Sequence, residues 1–295
     1  MSTLTPTAAA DLFRAAPDRF LDVGVGAGEV AYRCVGSGPD VLFVHGWPVS
    51  GATFRLLLPH LVDHVTCHVI DLPGSGSSRF TADTTLSVEQ HITSVRRVLD
   101  LLELDQVAVV GHDSGGMIAR HAVAGDRRLA AMGLINTEQP HGLSWRFKLF
   151  LSARGLPGFG AGLGWVAMRP LLRRNPFVLG DAFADSSLLD GEFEEFFLAP
   201  LHDIPERQRA AIRVLRSFDV EYVHDLAEVH QRITVPVQLV WGDQDPFFPL
   251  GWAEEMVGTF PDARLEVIKG AGLFSHEERP AEVARALLPV LRGER

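Results

Sequence analysis

Cysteine, tyrosine and runs of positive charge are what this chain has least of. Only two cysteines occur among its 295 residues, Cys34 and Cys67, each inside an apolar strand-like run. Two such thiols do not make a disulfide framework, so a reducing compartment is the expectation. No Lys/Arg run is present and the formal net charge is −10, which speaks against a nucleic-acid surface. No window approaches the roughly 18 uninterrupted apolar residues of a membrane span, and Met1 to Ala10 carry neither a positive n-region nor a long apolar stretch. These absences lead to the expectation of a soluble, acidic, cytoplasmic protein with no nucleic-acid and no membrane partner.

Motifs for metals and phosphates are equally scarce. His60 and His64 stand four apart, but no His-Glu-x-x-His pattern or third ligand accompanies them, so no metal is expected. Gly24-Val-Gly-Ala-Gly28 lacks the preceding strand and following helix of a dinucleotide fingerprint and reads as a turn before the next strand. No cofactor is expected, and no internal repeat or low-complexity tract appears.

What the chain does have is length and apolar content, 295 residues and 46% hydrophobic, enough for one large core or a core with an insertion. Short apolar runs alternate with longer amphipathic ones, the rhythm of a parallel sheet covered by helices. Strands are predicted at Glu29 to Val35, Val41 to Val44, Thr66 to Ile70, Val107 to Val110, Met132 to Asn136, Val237 to Trp241 and Leu265 to Ile268. A helix is predicted over Val88 to Leu102, where Val88, Ile92, Val95, Val98, Leu99 and Leu102 share one face. From about Pro140 to Gln231 the chain becomes Phe-, Leu- and Arg-rich with no convincing strand. It divides on this reading into an α/β core, 1–139 with 232–295, and a helical cap, 140–231, whose phenylalanines suit a small hydrophobic or ring-bearing partner.

The most informative segment is Gly111-His-Asp-Ser-Gly-Gly116, which follows the apolar run from Val107. Read as Gly-x-nucleophile-x-Gly, it puts Asp113 where a strand turns sharply into a helix, with small residues two places on either side. Taking Ser114 as the nucleophile instead puts His112 in the crowded position, and the plainer role for Asp113 is to cap the following helix. A carboxylate nucleophile attacks saturated carbon bearing a leaving oxygen or halogen, leaving an alkyl ester on the enzyme. Other candidates fall at strand ends, where open sheets collect functional groups. In His45-Gly46-Trp47-Pro48 the tight turn aims backbone N–H groups inward, and the N–H groups of Trp47 and Ser114 are the predicted oxyanion hole. Asp71-Leu-Pro-Gly-Ser-Gly-Ser-Ser78 reads as a structural turn. Asp245, with Asp243 beside it, and Glu138 are the candidate acids; Glu138 equally suits a plain loop acid.

In this order of motifs the chain resembles an α/β-hydrolase fold enzyme of the epoxide hydrolase and haloalkane dehalogenase branch. The likeness runs through His45-Gly-Trp-Pro, the Asp71 turn, the Asp113 elbow, the cap, Gly242-Asp-Gln-Asp245 and Gly270-Ala-Gly-Leu-Phe-Ser-His-Glu-Glu-Arg-Pro280. It implies an α/β fold with a mostly parallel sheet, flanking helices and an inserted lid, and a hydrolase working through Asp113. One departure stands out: where the family usually reads Gly-x-Gly-His, with the histidine that activates water, this chain has Leu273. Leucine accepts no proton, so hydrolysis of an Asp113 ester is expected to be slow unless another base serves. His276 is the nearest imidazole, either starting the last helix or acting as base through an altered register.

The leaving group is read from donors. Epoxide opening needs a phenol or similar acid, for which Tyr222 is the candidate, Tyr32 being on an early strand; dehalogenation needs indole or amide N–H groups, for which Trp47, Trp145 and Trp165 are available. His45, Trp47, His141 and Trp145 are the predicted pocket residues, and His141 with Arg146 would suit a carboxylate-bearing substrate. The expectation is an epoxide hydrolase; a haloalkane or haloacid dehalogenase, and a non-hydrolytic (elimination or cyclisation) or ligand-binding member of the fold, are the alternatives. A homodimer is left open.

Overall fold

The computed structural model describes residues 4–294. Eight strands form one sheet: β1 (Arg19–Asp22), β2 (Glu29–Gly36), β3 (Asp40–Val44), β4 (Thr66–Asp71), β5 (Val107–His112), β6 (Leu129–Ile135), β7 (Val237–Gly242) and β8 (Ala263–Ile268), in the spatial order β1-β2-β4-β3-β5-β6-β7-β8. The β1–β2 and β2–β4 pairs are antiparallel and all others parallel. This is an α/β-hydrolase fold, as the sequence implied.

Burial explains which runs read clearly. Every residue of β5 and β7 is buried, the condition of a central parallel strand covered on both faces, and both are near-continuous apolar runs. β8, at the edge, exposes alternate residues. The strand missed in the sequence is β1, whose four residues bury only Leu21, too little apolar pattern to separate it from a loop.

Side chains alternate across the sheet, so neighbouring residues enter different cores. Val41 and Phe43 pack with Ala284 and Leu287 of the C-terminal helix Pro280–Leu291. Leu42 and Val44 pack with Val95 and Val98 of α2 (Val88–Leu102) and Met117 of α3 (Ser114–Val123). Here α1 is Pro6–Arg14, whose Phe13 lies against both cores. The predicted helix at Val88–Leu102 forms over that range; Ser87 caps it by accepting the N–H of Gln90 at 3.1 Å.

Between β6 and β7 the chain is helical apart from an isolated bridge between Gln139 and Gly142, with α4 (Trp145–Ala153), α5 (Phe159–Ala167) and the helix Pro205–Arg216 its longest pieces. Arginines hold it in place. Arg146 is buried against Asp181, Arg173 pairs with Asp190 and Glu194, and Arg207 donates to the Ser75 and Ser78 carbonyls at 3.1 Å each, fixing Pro205–Arg216 over the loop after β4. Among the described residues no helix is long and apolar enough to cross a membrane. Cys34 and Cys67 are free thiols, one exposed and one buried.

The tightest joint lies where β5 turns into α3. A Cβ on Gly115 would collide with the Val44 and His45 carbonyl oxygens, and one on Gly111 with the backbone of Gly115 and Gly116. Backbone cannot yield as a side-chain tip can. Gly115→Ala is therefore expected to destabilise the protein by about 3 kcal/mol, at the upper end of overpacking costs, read as a lower urea midpoint with unchanged slope.

Candidate active site

Asp113 joins the end of β5 to the start of α3, and its backbone, φ 51° and ψ −139°, is one that residues other than glycine rarely adopt. The surroundings hold it there. Its N–H donates to the Asn136 carbonyl at 2.9 Å, and its carbonyl accepts the Gly116 N–H and the Thr137 hydroxyl, both at 2.8 Å. The carboxylate is held as firmly: Oδ2 accepts the Trp47 N–H at 2.8 Å, and the Ser114 N–H also bonds this carboxylate. The two N–H groups expected of an oxyanion hole thus converge on the Asp113 side chain.

The Trp47 N–H is aimed by the turn after β3. His45 Nε2 accepts the Leu72 N–H at 2.9 Å, so the ring proton lies on Nδ1, which donates to the Gly46 carbonyl at 2.8 Å. Burial keeps that imidazole neutral by lowering its pKa. His45 is thereby a brace for the turn. A Cβ on Gly46 would meet the Asp113 carboxylate, so only glycine fits. The Asp71 turn is structural as expected: Asp71 accepts the Gly51 and Ser77 N–H groups at 2.8 Å each, with Gly74 and Gly76 at positive φ.

Asp113 faces a cavity of about 100 Å³ lined by Trp47, Glu138, Phe147, Phe150, Phe218 and Leu273 among others. A second cavity of about 260 Å³, lined by His45, Asp71 and Phe197, shares Trp47, Pro48, Ser114, Ile118 and Val214 with it. Of the cap aromatics singled out in the sequence, Phe147 and Phe150 reach the first cavity and Phe196 and Phe197 the second. Phe183 and Phe193 instead stack against Phe274, and Phe177 is exposed.

Two buried carboxyls, Glu138 and Asp245, lie around the elbow with half-buried Asp113. Glu138 is 1% exposed; its Oε2 is bonded to the Thr137 hydroxyl at 3.0 Å, and its Oε1 has no partner. Burial raises its pKa, and burial followed by the charge of Glu138 raises that of Asp113. Neither carboxyl ionises easily beside the other. Behind them the fully buried Arg120 donates to the Thr137 hydroxyl at 2.9 Å and the Glu138 carbonyl at 2.8 Å, its own pKa pushed down to about 10 by burial. Arg120, Thr137 and Asn136 are site residues the sequence reading missed, although an arginine amid the apolar residues of α3 was a visible signal.

Asp245 is pushed up to about 7 by burial, against the hydrogen bonds it accepts. Its Oδ2 takes the Asn136 amide N–H at 2.8 Å, and its Oδ1 the N–H groups of Phe247 and Phe248 at 2.8 and 3.1 Å. Asn136 in turn accepts the Gly242 N–H and the Ser275 hydroxyl, so Asp245 ties together the loops after β6, β7 and β8. Asp243 shapes its turn by accepting the Gly270 N–H at 2.8 Å. No histidine ring meets Asp245; Leu273 occupies the cavity wall instead.

The remaining sequence candidates lie elsewhere. His276 is fully buried behind that wall, with Nε2 bonded to the Thr53 hydroxyl at 2.8 Å and its ring 4.3 Å from that of His112. Four residues, Ser275–Glu278, form one helical turn there, which carries His276 towards Thr53 and Arg55 and away from Asp113. His112 donates Nε2–H to the Leu273 carbonyl at 3.1 Å and is kept neutral by burial, its pKa about 3. Tyr222 donates its hydroxyl to Glu89 at 3.2 Å outside both cavities, and Tyr32, on β2, is bonded to His68 on β4. Trp145 is 67% exposed, because α4 turns its first residue to solvent, and His141 pairs with Glu255 at 2.7 Å and stacks on Trp252. Neither lines either cavity. Arg146, committed to Asp181, is not free to bind a substrate carboxylate. Among the described residues no group of three or more His, Cys, Asp or Glu side chains is placed to hold a metal.

Comparison with known proteins agrees with this geometry at the level of fold. The chain is 28% identical over 257 residues to the magnesium-chelatase 30 kDa subunit of Rhodobacter capsulatus, covering 87% of this chain and 88% of that one. It is 26% identical over 276 residues to haloalkane dehalogenase 2 of Mycobacterium bovis, covering 88% and 91%. Among solved structures it is similar to the epoxide hydrolase CorEH, with a TM-score of 0.74, 20% identity, and 95% and 98% of the two chains covered. The family model described as alpha/beta hydrolase fold matches residues 39–280, most of the chain, and the protein belongs to that family.

Proposed function

We propose that this protein is a hydrolase that opens a small, apolar, ring-bearing epoxide by attack of Asp113 on a ring carbon. The observation that carries the reading is the Asp113 carboxylate itself, with Oδ2 fixed by the Trp47 N–H at 2.8 Å inside an apolar cavity. Oδ2 being held, Oδ1 is the atom that attacks. Once the ester has formed, Oδ2 is its carbonyl oxygen and already sits against the Trp47 N–H. Addition of water then places the negative charge where a donor waits for it, with no rearrangement in between. A serine elbow positions its substrate's oxygen there; here the enzyme's own carbonyl takes that place.

Leaving-group chemistry favours oxygen over halide. A halide needs N–H donors, and the indoles are spent: Trp47 Nε1–H donates to the Ala211 carbonyl and Trp241 Nε1–H to that of Phe248, both at 2.8 Å. Trp145 and Trp165 are exposed, and Trp252 stacks on His141. A departing alkoxide needs only a proton, and a buried carboxyl with a raised pKa supplies one. The likeness to haloalkane dehalogenase 2 keeps halide displacement as the second reading.

Incubation with styrene oxide followed by intact-protein mass measurement and peptide mapping is expected to show an adduct on Asp113, absent in Asp113→Asn. In a single turnover in heavy-oxygen water, the label should enter the Asp113 carboxyl and not the diol. Absence of both adduct and diol would overturn the reading. Gly46→Ala, whose methyl pushes on the carboxylate, is expected to slow adduct formation by about a hundredfold, the usual cost of misplacing a reacting group by an ångström. Its thermal midpoint serves as the control for folding.

A further inference from the structure

Glu138 presents a problem that the fold alone does not answer. A carboxyl oxygen with no partner, in a residue 1% exposed, is costly to bury. Its neighbours have had their bonds arranged: Oε2 lies 3.0 Å from the Thr137 hydroxyl, which takes an N–H from Arg120 at 2.9 Å and gives its own proton to the Asp113 carbonyl at 2.8 Å. Oε1 alone is left, and the side chain lines the cavity that also holds Asp113 and Leu273. The Thr137 proton is thus not available to Oε2, and Oε1, with no partner at all, is the oxygen free to exchange a proton with whatever fills the cavity.

We infer that Glu138 is the proton-transfer group of both half-reactions, doing what the absent imidazole at position 273 cannot. This rests on the reading of Asp113 as nucleophile. In the first half-reaction Asp113 Oδ1 forms a bond to a ring carbon, the carbon–oxygen bond of the ring breaks, and the alkoxide takes the Glu138 proton. The charge balance favours this step. Asp113 loses its negative charge on becoming an ester as Glu138 acquires one, so the cavity holds a single negative charge before and after. Burial raises the Glu138 pKa, and the negative charge of an Asp113 carboxylate beside it is gone once the ester has formed.

In the second half-reaction the Glu138 carboxylate draws a proton from water, and the hydroxide adds to the ester carbonyl while the charge collects on Oδ2, against the Trp47 N–H. Collapse breaks the bond between acyl carbon and alkyl oxygen, and that oxygen departs with the Glu138 proton as the second hydroxyl of the diol. Asp113, now the carboxylic acid, returns its proton to Glu138. One water is consumed, and both carboxyls end as they began. No other group offers this. Both Asp245 oxygens are taken by N–H donors, and His276 stands behind the wall on Thr53. Arg120 and Thr137 are positioning residues: Arg120 holds the Glu138 carbonyl at 2.8 Å and the Thr137 hydroxyl at 2.9 Å, beside Oε2.

The experiment follows decay of the Asp113 adduct after excess styrene oxide is removed, by intact mass, in wild type, Glu138→Gln, Glu138→Asp and Glu138→Gln with Leu273→His. The adduct is expected to persist at least a hundredfold longer in Glu138→Gln, to decay at an intermediate rate in Glu138→Asp, and to regain fast decay when histidine is added. Wild-type decay should rise with pH through one ionisation and level off, a dependence that Glu138→Gln loses. Decay in Glu138→Gln at the wild-type rate would overturn the inference and leave Asp113 as nucleophile. Absence of an adduct from every protein, wild type included, would overturn the nucleophile reading instead. Should Glu138→Gln form no adduct, the wild-type profile decides: a single rise supports Glu138, and a flat line refutes it.

Discussion

Everything at this site depends on how closely two backbone turns approach. The loop after β3 lies so near the start of α3 that Gly115 has no room for a side chain beside the Val44 and His45 carbonyls. That contact brings the Trp47 N–H to 2.8 Å from the Asp113 carboxylate and forces Asp113 into a backbone conformation it would not choose. The strain is met by bonds on both sides of the residue, from Asn136, Thr137 and Gly116. Sheet order makes this possible, since β3 and β6 flank β5 and their ends deliver the oxyanion turn and the Asn136-Thr-Glu138 segment to either side of the elbow.

The second constraint is electrostatic. Glu138 and Asp245 are buried beside half-buried Asp113, and desolvation raises the pKa of all three, so each ionises less easily there than in water. Two are hydrogen-bonded at both oxygens or gripped by an N–H pair, and their positions follow from that. Glu138 is different: one of its oxygens has no partner, and the residue lines the cavity.

Much of the fold was legible because the central strands are buried on both faces and therefore spell themselves out in unbroken apolar runs. β1 escaped because it buries one residue of four. At the site, residues held by backbone were legible and those held by packing were not. Gly111, Gly115 and Gly46 announce close approach through what they lack, and the elbow could be read from them. Tyr222 and Trp145 were chosen by chemical type, and the rotation of their helices takes both away from the cavity.

The sequence by itself determined the alternation of strand and helix, the strand end on which Asp113 falls, and the leucine at position 273, since these depend on local pattern and on spacing along the chain. Only the tertiary structure decided which acid faces Asp113 and which one braces loops, where His276 points, and that the indole N–H groups are already committed. Those outcomes depend on contacts between residues far apart in the chain, such as Arg120 with Glu138 and Asn136 with Asp245, and on the direction in which each helix turns its face. No local periodicity records either.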